Sequence, residues 1–155
     1  MTIKEGQIYE GTISISGGDD VPRRWIVVSP FGKTHIHSID NPLELHCWPA
    51  PLIEEGLKKG LVSLVGEEPE HPMVELQRDK EALAIHDTHL GLDNNSANRM
   101  LDLLQTAAEN GKETAPYVAG EILSSLERSN FSEEDHNEII FLVNEHLNKL
   151  DSLSA

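Results

Sequence analysis

The chain has 155 residues, 38% of them apolar, and 27 acids against 12 bases give it a net charge of −15. A field of that sign repels phosphate, which argues against direct DNA or RNA binding, and it favours encounter with a basic protein surface. A single cysteine, Cys47, excludes an internal disulfide, and no run approaches the roughly 20 apolar residues of a membrane span.

The opening stretch MTIKEGQIYEG carries no apolar signal segment. Together with the lone thiol, that makes a cytoplasmic protein the expectation. Gln7 to Ile15 alternates in the manner of a strand and ends in the turn Gly17-Gly18-Asp19-Asp20. Arg24 to Ser29 is an unbroken β-forming run, which predicts a strand buried on both faces. Pro30 to Lys33 reads as a hairpin connection. Thr34 to Ile39 alternates again, and Leu43 to Trp48 supplies a further short strand. Pro51 and Gly60 bracket a helix over 52–59. Leu61 to Val65 and Met73 to Leu76 are the last expected strands, separated by the acidic loop Glu67 to Pro72.

After residue 96 the hydrophobic period changes from 2 to 3.6. A first helix is expected from a cap at Asn95 or Ser96 to Asn110, with Gly111 as its stop. A second runs from Pro116 to about Ser129, with Val118, Ile122 and Leu126 inward. A third is capped by Ser132 and buries Ile139, Leu142, Val143, Leu147 and Leu150. Leu104, Ile122 and Leu142 are the expected core of this half, and Asp102, Glu109, Glu121, Glu127, Glu134, Glu138 and Glu145 its acidic outer surface. The fold class is therefore α+β: a small curled antiparallel sheet with an SH3-like barrel pattern, followed by a three-helix bundle. The expected divisions are a β-rich domain at 1–86, a linker at 87–96 and the bundle at 97–155.

Histidine is the residue type most suggestive of chemistry, with eight in the chain. His35 and His37 are two apart, so both point to one face of their strand. His86 and His89 form a second short cluster, and these four are the candidate ligands if the chain is a metal-dependent hydrolase. The opposing expectation places His35 and His37 on the solvent face of an exposed strand. No closed four-ligand spacing occurs, so no metal or other cofactor is expected. Cys47 beside His46 is no catalytic pair, because neighbours on a strand point to opposite faces.

The preferred functional expectation is a non-enzymatic interaction protein of the inhibitor, immunity or nucleic-acid-mimic type. It would bind and restrain a basic protein surface, such as that of a nucleic-acid-binding protein. Residues 96–155 hold 11 acids against 4 bases, and Glu127, Glu134, Glu138 and Glu145 are the candidate contacts. Trp48 is the candidate aromatic anchor, with closure of the sheet against the 52–59 helix as its competing and favoured role. The helical half also offers a route to self-association.

Overall fold

The computed structural model describes residues 3–12, 23–29, 34–43, 45, 47–85 and 91–154. Five strands, β1 (Gln7–Gly11), β2 (Arg23–Val28), β3 (His35–Ser38), β4 (Cys47–Pro49) and β5 (Val62–Glu67), form one antiparallel sheet in the order β4-β3-β2-β1-β5. Helix α1 (Pro51–Lys58) precedes β5, and α2 (Pro72–Ala82), α3 (Asn94–Glu109), α4 (Ala115–Leu126) and α5 (Glu133–Ser154) follow it. The chain is thus a mixed α+β protein, and no helix among the described residues is long and apolar enough to cross a membrane.

The sheet is covered on both faces. Ile8, Ile26 and Val28 lie in the main core with Met73, Leu76, Met100, Leu104, Ile122 and Val143 from the helices. Tyr9, Trp25, Val27 and Ile36 point the other way and pack with Ile53 of α1 and Val62 of β5. Strand β2 feeds both clusters, as its unbroken apolar run predicts, and Trp25 to Val28 are all buried. This arrangement also explains why the sheet is open, with β4 and β5 as its edges, and not a closed SH3-like barrel. A barrel buries one face against itself, whereas here each apolar face has its own helical cover.

Met73–Leu76 is helical, which corrects the expected strand. Pro72 opens α2, and His71 caps it by accepting the Met73 N–H on Nδ1 at 3.0 Å. The buried residues Met73, Val74, Leu76, Gln77 and Lys80 follow a helical period that four residues are too few to display.

Asp93 caps α3, two residues before the earliest expected cap. Its Oδ1 accepts the Ser96 N–H at 2.7 Å, and Ser96 Oγ accepts the Asp93 N–H at 2.9 Å. Gly111 ends the helix with φ +62°, a conformation that favours glycine. At the start of α5, Ser132 Oγ accepts the Asp135 N–H at 3.2 Å. Helices α3, α4 and α5 pack pairwise, and α4 also touches α2. Leu104 and Ile122 are fully buried, but Leu142 is only half-buried. The inward line of α5 runs through Ile139, Val143 and His146, at spacings of four and three, and leaves Leu142 on its flank. Helix α4 approaches the β3–β4 connection closely at Gly120, where a Cβ would fall 1.6 Å from the Pro42 carbonyl oxygen. Of the expected linker, residues 87–90 lie outside the described set, and Asn94–Ser96 form the first turn of α3.

Candidate functional site

Helix α5 carries six acids and one base, Lys149. Glu133, Glu134 and Asp135 fall in its first turn, where the helix dipole favours negative charge. Glu134, Glu138, Phe141 and Glu145 are spaced four, three and four apart. At about 100° per residue they occupy an arc of about 60°, on the side away from Ile139, Val143 and His146. All four are exposed, and Phe141, at 61%, is the most exposed large apolar side chain among the described residues. The face is therefore an aromatic ring set in a row of carboxylates. Glu127 is also exposed, just beyond the end of α4.

Trp48 lies elsewhere. It pairs with Ile36 across the β3–β4 ladder and is half-buried against the cluster that joins the sheet to α1, with Leu52 and Leu57. This is the face of the sheet away from α2 to α5, so Trp48 is not brought together with the four glutamates.

His35 and His37 share a face of β3 through their pairing with Val28 and Ile26, two residues of the main core. His37 is buried and His35 half-buried, which corrects the expectation that both face solvent. The helices cover that side of the sheet. His86 and His89 lie outside the described residues. Among the described residues no group of three or more His, Cys, Asp or Glu side chains is placed to hold a metal ion.

Glu121 is a second correction, because it does not belong to the outer acidic surface. It is buried between α4 and α2, where its Oε1 accepts from the Lys80 ammonium and its Oε2 from Gln77 Nε2 at 3.4 Å. Both members of the ion pair are 2% exposed. The signal was present in the sequence. Glu121 is the only charged residue in APYVAGEILSSL, and a helix with so few charges is packed nearly all round. Nearby, His71 meets Tyr117 edge-on at 5.3 Å, and burial holds its pKa below the ordinary imidazole value.

A cleft of about 630 Å³ is lined in part by Ile85, Asp93, Ser96, Arg99, Arg128 and Phe131. Its polar groups serve the fold. Arg99 donates to the Leu83 carbonyl at 3.0 Å and Arg128 to the Ser124 carbonyl at 3.2 Å. The Asp93 carboxyl is held below its usual range by hydrogen bonds from Ser96, as its capping role requires. No family model, curated protein or solved structure matches the chain.

Proposed function

We propose that the protein is an interaction protein that binds and restrains a partner with a basic surface, by docking the outer face of α5. The carrying observation is the stripe Glu134, Glu138, Phe141 and Glu145, exposed on one side of a long, well-anchored helix. Carboxylates on a rigid element attract a positive surface and set its orientation. An aromatic ring in their midst supplies the apolar anchor that charge alone lacks, because binding energy concentrates in a few desolvated residues. The partner fitting this face is a protein with a Lys- or Arg-lined apolar recess, as on a nucleic-acid-binding surface, and the reading is of the inhibitor, immunity or mimic type.

The test is comparative capture from the native host. Immobilised wild-type protein should retain a basic partner that salt releases and that the triple variant E134K/E138K/E145K fails to retain. With the partner in hand, the triple reversal should slow association by about tenfold or more at low salt. Phe141→Ala should instead speed dissociation by roughly 30-fold, the equivalent of about 2 kcal/mol. A partner bound equally by wild type and both variants would refute this docking face.

A further inference from the structure

The two edges of the sheet are unequal. Strand β4 is three residues long and contains Pro49, both of which blunt an edge. Strand β5 has six residues, no proline, and no charge before Glu67. Its inner side pairs with β1, and among the described residues no strand pairs with its outer side. The ladder slips between Ile8 and Tyr9, whose partners are Gly66 and Leu64, so Val65 is an extra residue at a bulge. Leu61, Leu64 and Val65 are 46%, 42% and 51% exposed, and they make up three of the six exposed large apolar residues described.

We propose that β5 pairs antiparallel with β5 of a second copy of this chain, extending the two sheets into one across a two-fold axis near Leu64. A second copy is favoured by the charges that flank the strand, basic at the end of α1 that leads into it and acidic where it ends. Lys58 and Lys59 precede the strand, and Glu67, Glu68 and Glu70 end or follow it. Antiparallel pairing about Leu64 sets the basic end of each copy beside the acidic end of the other, and Leu64 opposite Leu64. The segment is thus complementary to itself, within a chain that otherwise repels its own kind. Lys59 now reaches Glu55 at 2.8 Å on the exposed flank of α1, a contact weak enough to exchange.

The test is sedimentation equilibrium of the full chain over a concentration series. Wild type should pass from monomer to dimer. Leu64→Lys and Val65→Lys, each on an exposed position and each checked for an unchanged circular dichroism spectrum, should raise the dissociation constant at least about tenfold. The decisive arm is a charge exchange. K58E/K59E and E67K/E68K should each self-associate about tenfold more weakly than wild type, because like charges meet at both ends of the homodimer. Mixed one to one, they should form a heterodimer as strong as the wild-type dimer. A chain that stays monomeric throughout, a dimer indifferent to the edge lysines, or a charge-exchanged mixture no stronger than its components would each overturn the assignment.

Discussion

Removing either partner of the buried Lys80–Glu121 pair should unfold the protein far more readily than removing both. The two side chains are 2% exposed, so each ion has given up nearly all its water. The effective penalty for that is several kcal/mol per ion, which their mutual attraction and the Gln77 hydrogen bond offset. Glu121→Gln deprives the buried ammonium of its carboxylate, and Lys80→Met does the reverse. Each should cost about 3–5 kcal/mol. At roughly 2–4 °C per kcal/mol for a chain of this size, that is a fall in Tm of about 6–20 °C. The double variant K80M/E121Q removes both charges and keeps an amide oxygen facing Gln77. Its stability should return to within about 1 kcal/mol of wild type or exceed it. Urea unfolding of the four proteins closes the cycle, and the coupling energy should exceed the roughly 0.5–3 kcal/mol usual for neighbouring residues. Single variants that lose no more than a surface pair, about 1 kcal/mol or less, would refute the burial argument. So would a double variant as unstable as the sum of the singles.

Two further outcomes test the α2 and α4 contacts. Burial depresses the folded-state pKa of His71, so the stability this contributes is complete above the ordinary imidazole value of about 6.5 and is lost as pH falls through the lower folded value. His71→Asn keeps an acceptor for the Met73 N–H and does not titrate, so the stability gap between it and wild type should shift with pH in that window; a pH-independent gap in urea midpoints would contradict the assignment. Gly120→Ala would gain about 1 kcal/mol in an exposed helix, but here its Cβ would meet the Pro42 carbonyl, and a loss of about 1–3 kcal/mol or more is expected; a raised Tm would refute the steric argument.

Features written locally in the sequence were legible. The unbroken run at β2, the Pro51 to Gly60 bracket around α1, the Gly111 stop and the Ser132 cap each depend on a few adjacent residues, and each appears in the structure. What was misread depends on partners distant in the chain. Glu121 is buried because Lys80, 41 residues earlier, meets it across α2. His37 faces the core because helices that follow the sheet in sequence cover that side. The open sheet follows from which element covers each apolar face, and periodicity within a strand does not carry that information. Helix α2 was hidden for a local reason: its cap is a histidine ring nitrogen, outside the usual set of capping side chains. Phe141 was discernible but overlooked, since a Phe three residues after Glu138 and four before Glu145 stands on the polar side of the helical period.

The net charge of −15 acts with opposite sign at the two proposed surfaces, and ionic strength therefore separates them. At α5 the acids attract a basic partner, so salt should weaken binding, chiefly through a slower association rate. At β5 two copies of the same anion must approach. The Lys58 and Lys59 contacts with Glu67 and Glu68 are few and exposed, each worth about 1 kcal/mol or less, against the repulsion of the whole surface. Screening at a Debye length of about 8 Å in physiological salt removes more of the long-range repulsion than of the short-range edge hydrogen bonds and Leu64 contact. The dimer should therefore strengthen as salt rises while the complex with a basic partner weakens. Self-association that weakened with salt would show that the opposed charges at the ends of β5 outweigh the repulsion of the whole surface. Partner binding that was indifferent to salt would move the docking surface off α5.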